Sequence, residues 1–144
     1  MTDPAELCEQ AVSLVESDPG AAYRFFSEAA EAGSANGMFG MAELKMSGTG
    51  TPADPDGAER LYLEASATGH APSMYRLGTL WAGGAGHQED PAKAADWFGK
   101  AAELGFQPAY PEIAGCLLYG YGVPEDPAGA LRWYLAAADE GDPL

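Results

Sequence analysis

Small, aromatic and polar positions recur along this chain with a single spacing. Ala58, Leu61, Tyr62, Ala65 and Ser66 sit at i, i+3, i+4, i+7 and i+8, which is one face of an α-helix. The same face returns as Ala94, Trp97, Phe98, Ala101 and Ala102, and again as Ala130, Trp133, Tyr134, Ala137 and Ala138. The aromatic column Phe26, Tyr62, Phe98, Tyr134 and the small column Ala29, Ala65, Ala101, Ala137 each step by 36 residues. So do the Asp-Pro pairs that begin at Asp18, Asp54, Asp90 and Asp126. Such a fixed period is the mark of a repeat architecture. The chain is 144 residues, four times the period. It divides into copies 1–36, 37–72, 73–108 and 109–144, read as one repeat domain with a modified first copy.

Each copy predicts two helices. Asp-Pro opens the second: the carboxylate accepts N–H groups of the first turn, and proline suits the first helical position. Gly33, Gly69, Gly105 and Gly141 supply the residue after the helix, where a left-handed conformation ends it. The first helix carries Met38, Met41, Ala42 and Lys45, then Met74, Leu77, Gly78 and Trp81, then Tyr110, Ile113, Ala114 and Leu117. Ala42, Gly78 and Ala114 are small throughout, which predicts close helix approach. Glycine inside a helix costs about 0.5–1 kcal/mol against alanine, so Gly78 calls for a packing reason. The first helix ends in a Gly-x-Gly loop at Gly48, Gly84 and Gly120. Copy one departs: its first helix, about 4–16, has Val12 and Leu14 in the columns of the loop glycines. Terminal repeats are commonly modified in this way.

These residues resemble the Sel-one-like repeat, a relative of the tetratricopeptide repeat. Copy three carries the pattern as Tyr75-Arg76-Leu77-Gly78, Gly84-Ala85-Gly86, Asp90, Lys93-Ala94, Trp97-Phe98, Lys100-Ala101-Ala102-Glu103 and Gly105. Copy four carries Tyr119-Gly120-Tyr121-Gly122-Val123, Asp126, Ala130, Trp133-Tyr134 and Ala136-Ala137. The resemblance covers nearly the whole chain. It implies an all-α, right-handed α-solenoid of four helix–turn–helix repeats, acting as an adaptor or scaffold that binds a peptide or protein on its concave side. Family logic also places an asparagine before the Leu-Gly pair to grip a peptide backbone. The matching positions here are Gly40, Arg76 and Glu112, so generic backbone reading is not supported and a charge-specific partner is open.

In a helical-hairpin solenoid the first helices line the concave face. Positions outside the packing stripe then point into the groove. They are Phe39, Gly40, Glu43 and Met46 in copy two, Tyr75, Arg76 and Thr79 in copy three, and Pro111, Glu112, Gly115 and Leu118 in copy four. Phe39, Met46, Tyr75 and Leu118 would form an apolar strip, with Glu43, Arg76 and Glu112 as polar anchors. Aromatics and arginine are the usual anchors of protein interfaces.

Charge reads first as solubility, second as adaptation to a salty host, and only behind both as a surface made for a basic partner. There are 22 acids and 7 bases, a net charge of −15. That disfavours nucleic acid, which needs a basic face, and anionic membrane surfaces. It also leaves a second reading: a small acidic inhibitor, of the immunity type, blocking a basic partner such as a toxin. No apolar run approaches the ~20 residues of a membrane helix. The start lacks the basic and apolar regions of a signal peptide, so the expected location is cytoplasmic.

Catalytic and cofactor chemistry finds no footing. An Asp sits at each helix N-terminus after the Gly-x-Gly loops and would compete with phosphate there. His70 and His87 lack the close His/Cys spacing of a zinc site, and His87 reads as a solvated loop residue. No enzyme, metal or cofactor is expected. Cys8 and Cys116 lie three repeats apart. Helix axes pack ~8–10 Å apart, and a disulfide needs Cα atoms within ~7 Å, so both are expected as free, buried thiols. Finally, the last helix, about 127–139, carries Leu131 and Leu135 beside its regular stripe. A homodimer through this C-terminal helix is the simplest closed use of that surface.

Overall fold

The computed structural model describes residues 2–141, which contain eight α-helices and no strand. In chain order they are α1 (Pro4–Leu14), α2 (Pro19–Glu31), α3 (Ala35–Ser47), α4 (Pro55–Ser66), α5 (Ala71–Trp81), α6 (Pro91–Glu103), α7 (Ala109–Tyr119) and α8 (Pro127–Gly141). A short 3₁₀ turn, Gly84–Gly86, lies between α5 and α6. None of these helices is long and apolar enough to cross a membrane.

The Asp-Pro column does what its chemistry dictates. Asp18, Asp54, Asp90 and Asp126 accept N–H bonds from Ala21, Gly57, Lys93 and Gly129 at 3.1, 3.0, 3.2 and 3.0 Å. In copies two to four the same aspartate also donates its own N–H backward. The acceptors are the carbonyls of Lys45, Trp81 and Leu117, at 2.9, 2.7 and 2.7 Å. One residue therefore starts the second helix and ties it to the first. In copy one the acceptor is the Leu14 carbonyl, at 2.7 Å, because α1 runs on through the positions where later copies have their loop glycines. Gly33, Gly69 and Gly105 all adopt positive φ after the second helix. The third copy's loop differs from its siblings, with Ala85 at φ 55°.

The chain forms two compact units, residues 1–73 and 74–144. In the first, α1 packs on α2 and α3, α2 on α3, and α3 on α4. Ala11, Ala22, Phe26 and Leu44 are its buried centre, with Leu14, Val15, Tyr23, Phe25 and Met41 packed around them. Ala42 is fully buried. In the second unit, α6 packs on α7 and α7 on α8. Its core joins Met74, Ala94, Phe98, Ala101, Tyr110, Ile113 and Cys116. The reason for Gly78 is visible here: a Cβ on it would lie 2.6 Å from the Phe98 ring. Large rings on second helices thus seat on positions of the first helices that carry little or no side chain, as dense packing requires.

Candidate partner-binding site

An open trough of about 650 Å³ runs between α1 and α3 in the first unit. α1 contributes Ala5, Cys8, Glu9 and Val12, which follow i, i+3, i+4, i+7, and Val15 lies just beyond its end. α3 contributes Asn36, Phe39, Gly40, Glu43 and Leu44, with the same periodicity. Phe26 of α2 forms the floor. Two helical faces therefore meet across one trough, each set by its own 3.6-residue period.

The floor depends on Gly40. A Cβ at that position would run into the Phe26 ring, so the absent side chain lets the ring reach the trough. Val12 is 67% exposed and so presents an apolar side chain at the trough's rim. Glu43 accepts a hydrogen bond from the Tyr62 hydroxyl at 2.6 Å, which fixes its carboxylate. Phe39 lies 5.9 Å from the Tyr62 ring and 5.3 Å from His70, tilted to both.

His70 braces the start of α3. Its Nε2 meets the Asn36 side-chain oxygen at 2.8 Å, and its Nδ1 meets the Ser73 hydroxyl at 2.8 Å. Nδ1 also accepts the Ser73 backbone N–H at 3.3 Å. Accepting at Nδ1 while donating at Nε2 assigns the neutral ring. Burial pushes the His70 pKa below its ordinary value, in the same direction.

The sequence-derived residues divide between the units. In the first, Phe39 and Glu43 line the trough, while Met46, half-buried near the end of α3, does not. In the second, Tyr75 is half-buried, 5.7 Å from Phe98 and 5.5 Å from Phe106, at the edge of the core. The Arg76 guanidinium lies 5.9 Å from the Tyr75 ring, and the Thr79 hydroxyl donates to the Arg76 carbonyl at 2.7 Å. Glu112 is exposed and Leu118 half-buried, both on α7. The apolar members of the expected strip are thus all half-buried rather than freely exposed.

Sequence reasoning missed the whole α1 wall, Ala5, Cys8, Glu9, Val12 and Val15, together with Phe26, Asn36, Leu44 and the bracing His70. The available signal was Val12 and Leu14 standing in glycine columns, which extends the apolar wall of α1. Cys8 is half-buried, with its sulfur 3.9 Å from the Ser34 hydroxyl, rather than fully buried as expected. Cys116 is buried, and that burial raises its pKa. Both cysteines are free. His87 is not merely solvated: it lies edge-on to Trp81 at 4.4 Å and meets the Gln88 carbonyl at 2.8 Å. Among the described residues, no group of three or more His, Cys, Asp or Glu side chains could hold a metal ion.

Capped helical hairpins with a common period, with Phe26 seated on Gly40 and Phe98 on Gly78, define a TPR-like α-repeat protein. The Sel1 repeat pattern matches residues 6–34, 35–70, 71–106 and 112–142, and the chain belongs to the Sel1 repeat family. A Sel1 repeat protein from Oxalobacter formigenes has a similar crystal structure, with a TM-score of 0.88 and 27% identity. That match covers 97% of this chain and 59% of the other. A protective antigen present in uropathogenic Escherichia coli strains, which displays an SLR fold, matches with a TM-score of 0.88 and 25% identity. It covers 97% of this chain and 31% of that one. The chain thus spans less than two thirds of either neighbour's length. No curated protein matches the chain. The fold is an all-α Sel1-repeat solenoid, and proteins built of this repeat are in general protein-interaction scaffolds.

Proposed function

We propose that this chain is a non-enzymatic interaction module that binds a peptide or protein segment on the face made by its first helices. The observation that carries the reading is the apolar trough between α1 and α3, to which Phe39 and Glu43 contribute. Met46 in the first unit, and Tyr75, Arg76, Thr79, Glu112 and Leu118 in the second, belong to the same set of first-helix positions and are proposed as contact residues of their own units. The reading needs no cofactor and no metal. It includes a cytoplasmic location, a reducing compartment in which both thiols would stay unpaired.

The test is affinity capture with the wild-type chain and with Val12→Asp as paired baits. Val12 is exposed, so the variant keeps the fold while placing a charge in the trough. A protein retained by the wild type and lost by the variant supports the reading. Identical sets on both baits overturn it. The net charge of −15 favours one further reading, an acidic inhibitor of a basic partner. In that case retention falls steeply with salt, because surface charges are screened beyond ~8 Å at physiological ionic strength. Self-association is a separate proposal for α8, where Leu131 and Leu135 are 58% and 56% exposed. Sedimentation showing only monomers at high concentration removes it.

A further inference from the structure

We infer that the α1–α3 trough takes an apolar peptide segment carrying Lys or Arg, presented by a partner protein. This rests on the interaction-module reading and adds the partner's chemistry and the copy of the repeat that receives it.

The apolar requirement comes from the walls. Cys8 and Val12 face Phe39 across the Phe26 floor. Val12 is 67% exposed and occupies the column of Gly48, Gly84 and Gly120 in the later copies. Only the first copy replaces its loop glycine with a branched apolar residue at this place. The floor is equally particular. Gly40 lets the buried Phe26 ring pack flush against α3 at the base of the trough, whereas copies three and four carry Arg76 and Glu112 in that column. A trough of this make-up therefore follows from two local departures from the repeat, and both enlarge apolar contact.

The basic requirement comes from charge. Glu9 from α1 and Glu43 from α3 lie among the lining residues, and no Lys, Arg or His does. Residues 1–73 hold twelve acids and three bases, a net charge of −9. The Tyr62 hydroxyl, 2.6 Å from Glu43, holds that carboxylate in place before any partner arrives. An acidic segment meets repulsion here, while a cationic one gains attraction at both walls and faster encounter. The trough is open to solvent and bounded by two helices, which suits a chain segment rather than an enclosed small molecule.

The test uses a fluorescent Leu/Lys peptide as probe, with Leu/Glu and Leu/Gln peptides of equal length beside it. Cys8 reports occupancy, because it lines the trough, and buried Cys116 serves as the internal standard. The expected result is Leu/Lys binding that slows alkylation of Cys8 but not of Cys116. Val12→Asp should weaken that binding by about tenfold, the loss that one contact residue worth more than 1 kcal/mol produces. The pair Glu9→Gln and Glu43→Gln should weaken it by about three- to tenfold and flatten its salt dependence, as exposed ion pairs of modest strength do. Glu28→Gln and Glu31→Gln, outside the trough, should change it far less. If Leu/Gln or Leu/Glu protects Cys8 equally, the basic requirement is overturned and the trough stands as the site. If Leu/Lys binds without protecting Cys8, the trough is overturned, while the module reading survives for another face. If no peptide protects Cys8 and the paired capture also yields nothing specific, both inferences fail together.

Discussion

Gly50, Gly86 and Gly122 occupy one column of the repeat, yet the structure predicts that they respond differently to alanine. All three adopt a left-handed backbone, at φ 73°, 75° and 74°. That conformation costs a non-glycine residue about 1–2 kcal/mol. Space separates them. A Cβ on Gly50 would strike the Pro19 carbonyl and lie 2.9 Å from the Gly20 nitrogen. A Cβ on Gly122 would strike the Pro91 carbonyl and lie 2.8 Å from the Ala92 nitrogen. In both cases the obstacle is the backbone at a helix start, which cannot rotate aside. A Cβ on Gly86 meets nothing within 4 Å. Overpacking of this kind adds about 1–3 kcal/mol. Gly50→Ala and Gly122→Ala should therefore cost about 2–5 kcal/mol each, and Gly86→Ala about 1–2 kcal/mol. The entropy that alanine removes from the unfolded chain is common to all three and cancels from the comparison. Urea unfolding followed by circular dichroism measures the differences, and in a thermal melt each kcal/mol amounts to about 3 °C at this size. Equal losses at all three positions, or the greatest loss at Gly86, would refute the inference that the loops of copies two and four lock onto the preceding second helix.

Three further outcomes are expected. The Tyr121 hydroxyl donates to Glu89 at 2.6 Å, and that hydrogen bond, with burial and the carboxylate's charge, pushes its pKa up to about 12. The ultraviolet titration difference between wild type and Tyr121→Phe should therefore centre near that value, and Glu89→Gln should bring it down. His70 is held neutral by burial, so its folded pKa lies below the unfolded value of about 6.5. The unfolded chain then binds more protons just below that pH. The contribution of His70 is fully present above pH ~6.5 and is lost as pH falls towards the folded value. Urea midpoints across that window should slope less in His70→Gln than in wild type. Tyr62→Phe removes the hydroxyl that holds Glu43 and should lower stability by about 1–2 kcal/mol in urea, the range for a hydrogen bond to a charged group that water partly replaces.

The repeat architecture was legible because its determinants are local. Asp54 caps the helix that begins at the next residue, and Gly69 ends it, so each can be read from the chain alone. Gly78 was legible as a close-packing position, but its partner Phe98 was not, since a period says which residues share a face and not which face they meet. The trough was half legible. Phe39 and Glu43 follow from first-helix periodicity, and Val12 stood out in a glycine column. The use of Gly40 required the path of the Phe26 ring, which depends on how α2 crosses α3. Tyr75 shows the opposite limit: it reads as a groove aromatic, while contacts with Phe98 and Phe106 draw it to the core's edge. His70, alone in sequence, became informative only once Asn36 and Ser73 were placed against it.

The most direct test of the central claim is a backbone amide shift titration of the full chain with the Leu/Lys peptide. The account predicts saturable changes concentrated on α1 and α3, around Cys8, Val12, Phe39 and Glu43, and diminished in Val12→Asp. Saturable binding whose changes leave α1 and α3 untouched would contradict it.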